Sequence, residues 1–148
     1  MSKIALPKVD KTIVSKKDLI VSNLKQFTDK KNVLSELDEI KPYETDALAA
    51  YKNLPLAVVL AENTQEVSEI LKFCHRENIK VIPRGAGTGL SGGALPLNDA
   101  ILLGLGKFNK ILDIDFDNKC VVTQPGVTNL SITHAVKHKG YYLSLIHI

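Results

Sequence analysis

The stretch Pro83-Arg84-Gly85-Ala86-Gly87-Thr88-Gly89-Leu90-Ser91-Gly92-Gly93-Ala94 holds five of the chain's nine glycines. It constrains the fold more than any other segment. Glycine takes φ > 0 without strain and puts no Cβ between the main chain and an approaching group. Ordering so many glycines is costly in chain entropy unless something holds them. Successive N–H groups in such a loop converge into an anion-binding nest. Thr88 and Ser91 add hydroxyls and Arg84 a fixed positive charge. The guest that fits is a phosphate or, given the length, a pyrophosphate. A flexible linker is the competing reading, but linkers of that kind favour Gly/Ser repeats without Arg, Leu or Pro.

The flanks say how the loop is delivered. Leu56 to Ala61 is a short apolar, β-branched run and reads as a buried strand. Asn63 or Thr64 caps a helix in which Val67, Ile70, Leu71 and Cys74 fall on one face. Lys80 to Pro83 reads as a second strand. A strand–helix–strand unit of about thirty residues is the length of a βαβ crossover. A loop leaving its second strand lies where open α/β sheets place phosphates. Further on, Ala100 to Leu105 reads as a strand, and Ile111 to Asp115 with Cys120 to Thr123 as a hairpin turned at Asp117-Asn118. Gln124-Pro125-Gly126 is a turn, and Thr128 caps a helix to about Lys137 that Gly140 stops. Before all this, residues 1–12 read as disordered or extended. A partial helical stripe covers Asp18 to Phe27 with an extension through Val33 to Ile40, and Pro42 breaks it.

The chain is 148 residues long, at most one ordinary domain, with average charge and apolar content. Cys74 and Cys120 form no CxxC and read as small buried apolar residues in a reducing compartment. The longest apolar run, Leu54 to Ala61, contains Pro55 and is too short to span a bilayer. No secretory signal pattern opens the chain. Residues 1–32 carry eight lysines against three aspartates, whereas the rest leans acidic. Acids interrupt the lysines and no aromatics interleave them, so a solvated helical face is favoured over nucleic-acid binding.

Three other chemistries fail on spacing. Gly87-x-Gly89-x-x-Gly92 formally satisfies the dinucleotide fingerprint, but that motif must open a helix, and Gly93 and Pro96 argue against one. No Gly-Lys-Ser/Thr follows to make a P-loop. His134 and His138 share a helix face at i, i+4 but lack the glutamate of HExxH, and they lie opposite Ile132, Ala135 and Val136, so both are expected exposed and no metal site is expected. No nucleophile–base set can be assembled, so no catalytic residue is assigned. That suits an enzyme whose cofactor carries the chemistry.

The glycine loop, with Thr45-Asp46, Leu54 to Val58, Pro83 to Pro96 and Gln124 to Asn129, resembles the FAD-linked oxidases of the vanillyl-alcohol oxidase type. Within them it is most similar to the glycolate oxidase and D-lactate dehydrogenase branch. The resemblance runs from about Tyr43 to Tyr142. It implies an α+β fold, the N-terminal part of a PCMH-type FAD-binding domain over residues 43–148, preceded by a helical extension over 1–42. It implies that Arg84, Gly85, Ala86, Gly87, Thr88, Gly89, Ser91 and Gly92 hold the FAD pyrophosphate through main-chain amides, with Pro83 shaping the approach. Pro125, Gly126 and Val127 are expected near the adenine or flavin side. Thr88 stands where tethering relatives often carry histidine, so the FAD is expected to be non-covalent. The implied reaction oxidises a small 2-hydroxy acid, glycolate or D-lactate, to the 2-oxo acid and passes electrons to an iron–sulfur subunit, a quinone or another acceptor. The resemblance implies a cytoplasmic protein with no transmembrane segment, with peripheral membrane contact left open. A non-catalytic nucleotide- or anion-binding module is the alternative the residues leave open.

After Tyr142 the family pattern continues with a Pro-Asp-Pro-Ser-Ser type segment, whereas this chain reads Leu143-Ser144-Leu145-Ile146-His147-Ile148. The expectation is an N-terminal piece of a longer enzyme, truncated on its C-terminal side and inactive alone. Its last six residues are expected to be foreign to the native fold.

Overall fold

The computed structural model describes residues 7–144. Helix starts earlier than the sequence pattern suggests. Asp10 accepts hydrogen bonds from the amides of Thr12 and Ile13 and so opens α1 (Lys11–Ser15) where an extended start is expected. Helix α2 (Lys17–Leu24) buries Ile20, Val21 and Leu24. The expected helical continuation through Val33 to Ile40 is replaced by two elements. Strand β1 (Val33–Leu34) pairs antiparallel with Val58 and Val59, which gives β-branched Val33 a ladder in place of a helix. A capping box between Glu36 and Glu39 then starts α3 (Leu37–Ile40) afresh.

Strand β2 (Ala57–Leu60), helix α4 (Thr64–Arg76) and strand β3 (Lys80–Arg84) form the expected strand–helix–strand unit. Asn63 caps α4 by accepting the Glu66 amide at 2.9 Å. Strands β2 and β3 are not neighbours, however. Strand β4 (Ala100–Gly104) slides between them, parallel to both, and the sheet order is β1-β2-β4-β3. All of β4 is buried, as its unbroken Ala-Ile-Leu-Leu run requires of a central parallel strand. Alternate residues serve opposite faces. Val59, Ile101 and Leu103 meet α1, α2 and α4, whereas Val58 and Leu102 meet Ile40, Tyr43 and Leu54. Cys74 lies in the first core, and burial pushes its thiol up to about 11. Cys120, expected buried, is exposed. It starts strand β6, where the pleat turns Val121 inward and Cys120 out.

A separate hairpin joins β5 (Ile111–Asp115) to β6 (Cys120–Thr123), with a bulge between Ile111 and Asp113. Asp115 fixes its turn by accepting from the Asn118 amide and side chain. Helix α5 (Asn129–Val136) is capped by Thr128 and runs into a 3-10 turn over Lys137–Lys139 that ends at Gly140. Mixed α+β architecture, as expected, describes the chain. The expectation for the last six residues falls mostly on 145–148, outside the described residues.

At the edge where the parallel strands begin, buried Asp99 accepts from Lys80 Nζ at 2.6 Å and from the Asp10 amide at 2.7 Å. Burial pushes the Asp99 carboxyl upward, but the two donors outweigh it and hold the group below its ordinary 3.8. The unfolded chain therefore binds this proton more readily than the native one. The stabilisation is complete above about pH 4 and is lost as pH falls through the native pKa. Asp99→Asn is expected to lower stability near neutrality and to flatten its fall with acid. Urea midpoints measured from about pH 5 down to about pH 2.5 check this. Parallel acid slopes for wild type and variant would remove Asp99 as the source.

Candidate functional site

The three parallel strands end together at Leu60, Arg84 and Gly104. The glycine loop leaves this edge from β3, which is the last strand of the sheet and so tolerates Pro83 on its open side. Gly87 and Gly92 have φ of 72° and 74°, so the loop takes a path open to glycine there. At Gly85, Gly89 and Gly93 a Cβ would meet nothing within 4 Å, which leaves the backbone bare to solvent. Ala86, Thr88 and Ser91 are exposed, as is Leu90 at 75%. Among the described residues, the amides from Gly85 to Gly93 and the hydroxyls of Thr88 and Ser91 have no protein partner. The sheet edge thus presents a short arc of unpaired donors.

Behind that arc the loop is fastened. The Ala47 amide donates to Gly87 O at 2.9 Å. Asp46, only 4% exposed, accepts from the Leu48 amide at 2.9 Å through Oδ1 and from the Ala94 amide at 3.3 Å through Oδ2. Leu48 packs where Gly92 lacks a side chain. Arg84 turns its guanidinium to the same side. Nη1 donates to Tyr43 O at 3.2 Å, and the guanidinium carbon lies 5.7 Å from the centre of the Tyr43 ring. The same guanidinium fills the space a Gly87 side chain would take. Its half-buried charge therefore stands behind the loop, not on its open face.

The second expected segment, Pro125-Gly126-Val127, reaches the same edge by another route. Leu105, directly after β4, donates its amide to Arg84 O at 2.9 Å. The carbonyls of Leu105, Gly106 and Phe108 then close around Gly126, where a Cβ would lie 2.9, 3.1 and 2.7 Å from them. Gly126 also donates its amide to Phe108 O at 2.6 Å, and Val127 donates to Gln124 O at 3.1 Å. Gly126 is small because protein backbone approaches it. Pro125 is exposed. Just beyond, Asn129 Oδ1 is buried without a hydrogen-bond partner.

Two features were not visible in the sequence. One is the Asp46 anchor. The other is an ion-pair cluster on the same edge, in which Lys107 Nζ lies 2.6 Å from Glu62 Oε1 and 2.7 Å from Asn32 Oδ1. The Lys107 hydrogen bond, helped by Asn32, lowers the Glu62 pKa. This cluster ties the segments after β2 and β4 to the N-terminal stretch. His134 is exposed on α5 and His138 is exposed on the 3-10 turn that follows it, edge-on to Phe116 at 6.0 Å. Among the described residues no three His, Cys, Asp or Glu gather to hold a metal ion, and no helix is long and apolar enough to cross a membrane.

Residues 55–146 match the model of a family described as an FAD binding domain. The glycolate oxidase subunit GlcD of Escherichia coli (strain K12) is 45% identical over 139 residues, which is 93% of this chain and 27% of that protein. The mitochondrial D-2-hydroxyglutarate dehydrogenase of Arabidopsis thaliana is 33% identical over 125 residues, 84% of this chain and 22% of that one. Among solved structures, 4-ethylphenol oxidase from Gulosibacter chungangensis superposes with a TM-score of 0.76 at 23% identity, over 92% of this chain and 27% of that one, which shows a shared fold. The chain spans about a quarter of the length of the curated relatives it matches.

Proposed function

The chain belongs to the FAD binding domain family, and on that premise we propose that its loop over residues 85–93 holds the pyrophosphate of FAD. FAD is the cofactor of this family. The observation that carries the reading is the arc of unpaired amides from Gly85 to Gly93 at the end of β3. A diphosphate has the acceptors these donors lack, and no side chain stands between them at Gly85, Gly89 and Gly93. Thr88 and Ser91 add hydroxyl donors, and the Arg84 charge behind the loop favours an anion in front of it. The Pro125 to Val127 turn, held beside the loop through Leu105, would border the adenine or flavin side of the cofactor. The loop has no histidine to tether the flavin, which supports non-covalent binding.

Residues 43–148 are the cofactor-binding part, with 1–42 as an extension built onto it. The whole protein oxidises a small 2-hydroxy acid, glycolate or D-lactate, to the 2-oxo acid, a reading that the names of a glycolate oxidase subunit and a D-lactate dehydrogenase among its relatives support. Bound FAD supplies the hydride acceptor. The Escherichia coli relative is named as a subunit, which supports a partner that takes the electrons, an iron–sulfur subunit or a quinone. Such a protein works in the cytoplasm, free or resting on a membrane surface.

The chain's own residues bind and orient and supply no general base. Residues 1–148 with added FAD and a dye acceptor are therefore expected to give no turnover of glycolate or D-lactate. The full-length protein is expected to carry flavin that acid precipitation releases to the supernatant. Turnover by residues 1–148 would overturn the division of labour. Flavin that stays with the precipitate would overturn non-covalent binding.

A further inference from the structure

We infer that Asp46 and Arg84 are positioning residues that hold the glycine loop in its binding shape before any ligand arrives. The inference rests on the reading of that loop as the pyrophosphate site. A loop with so many glycines gains much entropy by coming loose, and an ordered one binds more tightly because that cost is met in folding. Nothing in residues 85–93 bonds the loop to itself. Apart from the Leu95 amide, which donates to Gly92 O at 3.2 Å, its ties run outward to the stretch from Tyr43 to Leu48. The Asp46 carboxylate grips Ala94 at the far end of the loop while its other oxygen fixes Leu48. The Ala47 amide holds the Gly87 carbonyl in the middle. At the near end Arg84 spans from the Tyr43 carbonyl and ring to the bare side of Gly87. Asp46 is buried at 4% exposure and its two hydrogen bonds go to main-chain amides, so its place is set from both sides. Three attachments fasten the loop while its amides from Gly85 to Gly93 stay unpaired. Neither residue touches the ligand; each acts through the backbone it holds.

The test is hydrogen–deuterium exchange on the flavin-free full-length protein, followed by FAD titration. Asp46→Asn keeps the shape but turns one acceptor into a donor facing an amide. It is expected to speed exchange at the hydrogen-bonded amides that fasten the loop, Ala47, Leu48 and Ala94, while β2 and β4 keep their protection, and to weaken FAD binding roughly 10- to 100-fold, the worth of one charge-assisted hydrogen bond. Arg84→Met, which keeps the stem and removes the guanidinium, is expected to speed exchange at the same amides and covers the case in which the Asp46 variant does not fold. Unchanged exchange at Ala47, Leu48 and Ala94 in the folded variants overturns the inference. So does faster exchange spread equally over β2 and β4, which marks a general loss of stability. If the loop loosens and FAD affinity stays at the wild-type value, the positioning role stands and the placement of the pyrophosphate on this loop falls.

Discussion

Gly87→Val is expected to leave the full-length protein folded and without flavin. Gly87 sits at φ 72°, where an L-residue costs roughly 1–2 kcal/mol, and a β-branched one more. Its new side chain would also occupy the space of the Arg84 guanidinium and push it off Tyr43. Once the peptide planes on either side of residue 87 rotate, the amide arc no longer converges. Losing two or three charge-assisted contacts at roughly 1.5–3 kcal/mol each weakens FAD binding by several orders of magnitude. The loop is exposed, so the thermal midpoint of the flavin-free protein should fall little. Gly89→Ala is the companion variant, because a Cβ there meets no protein atom within 4 Å and φ is not left-handed. It should fold as the wild type does and lose only the affinity that a methyl group costs a phosphate at that spot. The readouts are flavin per polypeptide and thermal midpoint, side by side. A Gly87→Val protein that kept its full flavin complement would remove the loop from the binding site.

Gly126→Val is expected to damage the fold itself. Three carbonyl oxygens lie where its Cβ would go, and backbone cannot swing aside as a long side chain can. Overpacking of this kind costs about 1–3 kcal/mol and sometimes more. The Gly126 amide also donates to Phe108 O, so moving the turn away breaks that bond as well. Urea unfolding is expected to show a lower midpoint with an unchanged slope. Because Leu105 also holds Arg84 O, the strain reaches the start of the glycine loop and flavin content should fall with stability. An unaltered midpoint would show that residues 105–108 give way freely.

The contrast between these two glycines shows where the sequence was legible. The loop was readable because its composition admits few conformations. Helix α4 was readable because its cap and its apolar stripe agree, and β4 because an unbroken apolar run asks for burial on two faces. Strand β1 was not readable. Two residues have no periodicity, and Val33 becomes a strand only because Val59 offers it a partner far along the chain. The insertion of β4 between β2 and β3 is equally a matter of pairing, which local pattern does not encode. At the site, Arg84 read as a hand held out to phosphate because a charge on a loop has no local partner; Tyr43 supplies one from forty-one residues away. Asp46 was part of the recognisable pattern, yet a lone acid ahead of an alanine-rich stretch gave no sign of which amides it would hold. Cys120 shows the same limit at small scale, since strand pattern leaves open which face of a thin hairpin meets a core.

The position of β4 also dictates when this sheet comes into being. On a ribosome the chain emerges from its N-terminus. Strands β2 and β3 are made first, yet neither has the other for a neighbour. Each waits for Ala100–Gly104, and until then β2 has β1 alone to pair with. The glycine loop is translated inside that waiting period, with its near end on an unpaired strand and its far end on no strand at all. The edge of β2 that β4 will pair with stays open while about forty residues are added at roughly 5–20 per second. For those few seconds the sheet is a short antiparallel pair, and the helices already made have two paired strands to lie on in place of four. When β4 arrives, it completes the sheet in one step.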